Sequence, residues 1–141
     1  MLQIHYGLNE PFNSAYTPVR EANVAGTSFV TGTWVKLTNG KAVQAAKPTD
    51  VATTLGLECV FEPANKNWQG VVPTIAGFFE ASTDQYEGTP GGVAYGDGVL
   101  LTVSANGKLD TVAAANAEDA LAIAIQVGAI ANGVIRFRKL R

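Results

Sequence analysis

The chain has 141 residues, of which 47% are hydrophobic and only 16% charged, a balance that suits one globular domain with a core large enough to hold without disulfides or metal. One cysteine, Cys59, and one histidine, His5, exclude a disulfide scaffold and are too few for zinc sites or Cys/His catalysis built from those residues. Residues 1–135 hold six basic against twelve acidic groups, a formal −6, whereas Arg136, Arg138, Lys139 and Arg141 make the end basic; the acidic body argues against direct nucleic-acid binding.

In chain order, residues 1–26 read as an extended N-terminal arm. It carries Ile4, Tyr6, Leu8, Phe12 and Tyr16 among prolines and shows neither helical nor strand periodicity. Disordered tails are poor in aromatics, so the arm is expected to be ordered against another subunit or against its own barrel. Residues 27–141 form a single β domain. Val35 and Leu37 alternate with Trp34, Lys36 and Thr38 as a strand with one buried face, and Asn39-Gly40 supplies the positive φ angles of a type I′ hairpin. Leu55, Leu57 and Cys59 alternate in the same way. Val71 to Ala81 is a strand element in which Pro73 marks an edge or a bulge, and 87–92 is a loop by composition.

The second half repeats these signals. Val99, Leu101 and Val103 form an inward row ending at Asn106-Gly107, and Asn116 can cap one or two helical turns. Leu121, Ile123, Ile125 and Val127 then alternate with Ala122, Ala124 and Gln126. Gly133 to Leu140 is a last strand, with Ile135 and Phe137 on one face and Arg136 and Arg138 on the other. The longest uncharged stretch, Ala120 to Ile135, is 16 residues and is broken by Gln126, Gly128, Asn132 and Gly133. A bilayer span needs about 20 apolar residues, so no membrane partner is expected, and the chain reads as one made in the cytoplasm.

Self-similarity is the strongest signal. Gly32, Val35, Leu37, Thr38, Asn39, Gly40 and Lys41 recur as Gly96, Val99, Leu101, Thr102, Asn106, Gly107 and Lys108, once Val103, Ser104 and Ala105 are taken as an insertion. Each block leads into an apolar segment and then a Gly-Val pair. The expected fold is therefore mainly β: a compact barrel or sandwich of two similar units, about 30–75 and 94–140, with at most one or two short helical turns.

Chemistry is sparse. None of the four serines lies in a G-x-S-x-G elbow, and no glycine cluster forms a phosphate-binding loop. Glu58 and Glu62 could pair as carboxylates, but acidic residues at the end of a strand are usually just solvated. Asp84-Gln85-Tyr86-Glu87 lacks calcium-loop spacing. Trp34 and Trp68 could stack on a sugar or anchor an interface. No catalytic, cofactor or metal residue is assigned, and the expected function is contact, with Arg136, Arg138 and Arg141 facing an acidic partner.

The run Gly32-x-x-Val35-x-Leu37-Thr38-Asn39-Gly40-Lys41, followed by Gly56-Leu57, and the closing Gly133-Val134-Ile135-Arg136-Phe137-Arg138, resemble the small decoration or cement proteins of tailed-bacteriophage heads. The resemblance covers about residues 26–140. It implies a β-barrel-like fold, self-association as homotrimers, no enzymatic residues, and a place on the outer capsid surface of the virion, bridging copies of the major capsid protein. The arm matches no motif of that family, and its use as a clasp on capsid or neighbour is a separate expectation. With it, the interface candidates are Ile4, Tyr6, Leu8, Phe12, Tyr16, Trp34, Trp68, Arg136, Arg138 and Arg141. Deleting residues 1–25 is expected to weaken assembly and leave the domain folded. The alternatives are a phage tail or baseplate component and a small carbohydrate-binding β module.

Overall fold

Period-2 patterning and glycine-marked turns resolve into two antiparallel sheets in the computed structural model, which describes residues 1–6, 15–25, 27–53, 56–62, 71–126 and 133–140. The first sheet runs in the order β1 (Leu2–Tyr6), β8 (Glu80–Thr83), β12 (Ile135–Lys139), β11 (Ala122–Gln126), β9 (Leu100–Val103), β10 (Leu109–Thr111). The second runs β2 (Ala15–Tyr16), β7 (Val71–Gly77), β6 (Glu58–Val60), β4 (Trp34–Thr38), β5 (Lys41–Gln44), and β3 (Val19–Glu21) continues beside β2 on the same edge of β7. Two short helices complete the described elements: α1 (Thr49–Thr53) and a 3-10 helix over Ala114–Asp119. The fold is mainly β and sandwich-like, and the described strands close no barrel. Asn116 does not cap the 3-10 helix; it sits inside at a kink, and Ala113 holds the cap position without a side-chain bond.

Each half is built in the same order: a hairpin, a helical turn, a strand returning beside the first strand of the hairpin, and a further antiparallel strand. The hydrogen bonds fix which residues correspond. Gly32 N–H bonds Val60 O (2.8 Å), Val60 N–H bonds Thr33 O (2.8 Å) and Ala45 N–H bonds Trp34 O (3.0 Å). In the other half Gly98 N–H bonds Ala124 O (2.7 Å), Ala124 N–H bonds Val99 O (2.9 Å) and Val112 N–H bonds Leu100 O (3.0 Å). Gly32 therefore matches Gly98 and Trp34 matches Leu100, two positions from the pairing that the sequence suggested. A slide of two residues leaves every side chain on its own face, so alternation cannot detect it. The corrected match needs only one extra residue in the second hairpin.

That residue changes the turn. Asn39 (φ 52°) and Gly40 (φ 77°) both take positive φ, as a type I′ turn requires. In the second hairpin only Gly107 does (φ 69°), and the bonds Gly107 N–H to Ser104 O and Ser104 N–H to Lys108 O close a three-residue loop. Pro73 lies at a bulge: the successive amides of Phe61 (2.9 Å) and Glu62 (3.4 Å) both donate to its carbonyl, an irregular pairing in which a proline is tolerated.

The main core lies between the sheets, where Trp34, Cys59 and Ile75 of one meet Ala81, Leu101 and Phe137 of the other. Trp34 stacks on Phe79 (6.1 Å, 15°) and meets the edge of Phe137 (5.9 Å, 64°). A smaller cluster of Ala22, Phe29, Val35, Ala42, Val60 and Val72 covers the opposite face of the second sheet. Val35 thus faces this outer cluster, and Trp34, expected on the exposed row, faces the main core. Leu101 and Val103 point inward as expected. In β11 the expected faces are reversed: Ala122 and Ala124 are fully buried, whereas Ile123 and Ile125 are half-buried on the outside. Facing Phe137 and Trp34, the core has room there only for methyl groups, and close packing outranks hydrophobicity. The described parts of residues 1–26 lie on the chain's own sheets as β1, β2 and β3.

Candidate functional site

The last strand sets the outer face of the first sheet. Its sequence Ile-Arg-Phe-Arg-Lys buries Ile135, Phe137 and Lys139 on one side, so Arg136 and Arg138 emerge together on the other. On the neighbouring β8, Arg136 faces Ser82 and Arg138 faces Glu80. Both guanidinium groups converge on that one carboxylate: Arg136 Nη2 at 3.2 Å from Glu80 Oε1, and Arg138 Nε and Nη2 at 2.9 and 2.7 Å from Oε2. One positive charge remains from the three groups. The arginines are therefore held in place by their own chain, a fixed basic surface rather than two loose side chains. Ile123 lies beside Arg138 across β11 and adds an apolar flank.

On the other side of β8, the register of β1 slips between Ile4 and Tyr6, and His5 is the extra residue. The bulge turns its ring to Ser82, with Nε2 and Oγ 2.7 Å apart. Burial and the neighbouring Arg136 lower the imidazole pKa from its ordinary value, and Glu80 opposes them. In the sequence His5 lies in the arm, 77 positions from Ser82, and only the strand pairing brings the two together. A nucleophile and a base are in contact here, yet Glu80 gives its oxygens to the arginines, and the pair sits on an open sheet face. It has neither the orienting group nor the enclosing site that acyl transfer requires.

Lys139, the fourth basic residue of the terminal run, points inward. It is 3% exposed, its ammonium donates to Gly77 O at 3.0 Å, and burial pulls its pKa down to about 8. The basic end therefore divides between two faces, a consequence of strand period that a charge count cannot show.

The expected interface residues separate clearly. Tyr16 is 58% exposed, opposite Ala76 and close in sequence register to exposed Phe78, and Arg138 is also exposed. Trp34 is fully buried, so it neither stacks on a sugar nor anchors a partner; the aromatic trio around it holds it as core. Ile4 packs against the main core from β1 and is likewise structural. Tyr6 pairs through its backbone with Glu80. Leu8, Phe12, Trp68 and Arg141 fall outside the described residues. Glu58, considered as a reactive carboxylate, is buried against Arg20 and Thr74.

Among the described residues no group of three or more His, Cys, Asp or Glu side chains could hold a metal ion, and no helix is long and apolar enough to cross a membrane. Comparison with protein-family models, with curated proteins and with solved structures returns no match, so what the chain does must be read from its own residues.

Proposed function

We propose that this chain is a structural virion protein that sits on the outer surface of a tailed-phage capsid and stabilises the shell by bridging major capsid subunits. One observation carries the reading beyond the motif resemblance: the Glu80-bridged Arg136 and Arg138 on the open face of a six-stranded sheet, flanked by half-buried Ile123. A prearranged guanidinium pair loses little side-chain freedom on meeting carboxylates of a partner, and it fixes orientation as much as affinity. The single net charge of the cluster keeps each contact modest. Repetition over a lattice, with several copies joined in one oligomer, multiplies modest contacts into firm attachment.

The test is binding to expanded capsids stripped of decoration, with occupancy measured across salt concentrations for the parent and for Arg138→Ala. Saturable binding that weakens with salt, and weakens further in the variant, supports the reading; absence of binding by a folded parent overturns it. Molar mass from light scattering then separates the roles, a trimer favouring decoration and a six-fold ring favouring a tail or baseplate.

A further inference from the structure

A second polar site lies away from the arginine face, where β9 and β10 meet the 3-10 helix and the residue before α1. There a cleft of about 260 Å³ is lined by Pro48, Thr102, Asp110, Asn116 and Asp119, with Gly91 at its rim. Thr102 and Asp110 are direct cross-strand partners, so their side chains stand next to each other on one face of the hairpin. Asp110 Oδ1 accepts the amides of Gly91 (2.8 Å) and Thr111 (2.7 Å), which locks the carboxylate in place. Its Oδ2 faces the rim, and a Cβ on Gly91 would stand 2.5 Å from that oxygen, so any larger residue would close this side of the carboxylate.

Two features mark the cleft as built for an occupant. Thr102 is 2% exposed, and its hydroxyl has no hydrogen-bond partner among the described residues, an uncompensated burial that is costly unless something in the cleft meets it. Asp110 and Asp119 have no cationic partner among the described residues, although every other feature of the cleft is neutral. Two carboxylates and a buried hydroxyl in one cleft suit an occupant that is cationic and carries several hydrogen-bond donors.

We propose that this cleft binds a guanidinium group, that of an arginine side chain presented by a partner polypeptide. Five N–H donors in one plane can serve the Asp110 and Asp119 carboxylates together with Thr102 Oγ1 and the Asn116 amide oxygen. An ammonium has only three, and a divalent cation would have to keep most of its shell as water, since no third carboxylate, His or Cys joins the two aspartates among the described residues. The site stands independently of the capsid reading, since it needs only a basic partner.

The probe is N-acetylargininamide, blocked at both ends as an arginine is within a chain, titrated into the full-length isotope-labelled protein at low salt with backbone amides as the readout. Saturable shifts centred on Gly91, Thr102, Asp110 and Asn116 are expected. Asp119→Asn, which removes a partly exposed charge, is expected to weaken binding at least tenfold. Thr102→Val, close in shape, is a second check with a several-fold loss. No saturable shift, equal binding by Asp119→Asn, or the same amides responding to calcium chloride or a neutral hexose but not to the probe would overturn the proposal.

Discussion

Arg20 and Glu58 lie 38 positions apart, yet the guanidinium of Arg20 places its Nε 3.1 and 3.0 Å from the two carboxylate oxygens. Glu58 is 3% exposed, and the Thr74 hydroxyl donates to it at 2.6 Å. β3 and β6 flank β7 from opposite edges, so this ion pair ties the N-terminal segment across the middle of the second sheet. A buried carboxylate stripped of its cation costs about 3–5 kcal/mol, far more than an exposed pair contributes.

Arg20→Met is accordingly expected to lower unfolding free energy by about 3 kcal/mol, discounted toward 2 because Arg20 is itself about a quarter exposed. Glu58→Gln should cost less, and the double variant less than the sum of the singles. Urea denaturation of the four proteins gives the cycle; additive losses would show that the pair is incidental. For the same reason the expectation that the domain survives deletion of residues 1–25 is replaced by its opposite. That deletion removes β1, β2, β3, Arg20 and the core contacts of Ala15 and Ala22, and circular dichroism should show the remainder unfolded.

Gly40 and Gly107 occupy matching turns and both take positive φ, but their surroundings differ. A Cβ on Gly40 would meet nothing within 4 Å, whereas on Gly107 it would lie 2.8 Å from Gln44 Cγ and 3.4 Å from Ala45 O. Gly107 O also accepts the Trp34 amide at 2.8 Å, so the second hairpin is seated on the first unit. Gly40→Ala should cost only the left-handed backbone penalty, about 1 kcal/mol, and Gly107→Ala about 2 kcal/mol or more. Adding Gln44→Ala to Gly107→Ala should recover much of the difference. Equal thermal midpoints for the two glycine variants would contradict this.

Lys139 gives stability a distinctive pH dependence. Its folded pKa of about 8 lies below its ordinary 10.5, so below pH 8 both states carry the proton and the penalty of burying the charge is constant. As pH rises from 8, the folded chain sheds that proton while the unfolded chain keeps it, and stability climbs. Cys59 works against this: burial pushes its thiol up from 9.0, so above pH 9 the unfolded chain ionises first and stability falls. In a Cys59→Ala background, unfolding free energy should rise by about 1.5 kcal/mol between pH 8 and 9.5, and adding Lys139→Met should flatten the curve. A flat profile in Cys59→Ala alone would count against the buried charged state.

How much of this was legible follows from what a strand pattern encodes. The β class, the type I′ turn at Asn39-Gly40, the bulge at Pro73 and the outward arginines of the last strand all rest on local periodicity and turn chemistry, which the residues carry by themselves. Which face of a strand points inward depends on what lies opposite. Ile123 and Ile125 lost the core to Ala122 and Ala124 because Phe137 and Trp34 fill the space, and Trp34 looked exposed because its strand is covered on both sides. The His5–Ser82 contact and the Arg20–Glu58 pair span 77 and 38 positions, and only sheet order brings such residues together. The acidic cleft was equally hidden, since a hairpin, a 3-10 helix and a loop each supply part of it.

The matched hydrogen bonds have one further consequence. Trp34, Cys59 and Ile75 correspond to Leu100, Ile123 and Arg138, yet the first three face the main core and the last three face outward. The two halves therefore follow one another like stacked plates turned the same way, front against back, instead of closing face to face. Such a stack has two unlike ends, and each must be finished. One back is covered by Ala22 and Phe29. The other front is finished by charge, with Arg138 standing where the first half has Ile75, as terminal units of repeat proteins carry a polar outer face to stop the series. The outer face of the arginine strand is thus the place where a third plate would have been laid.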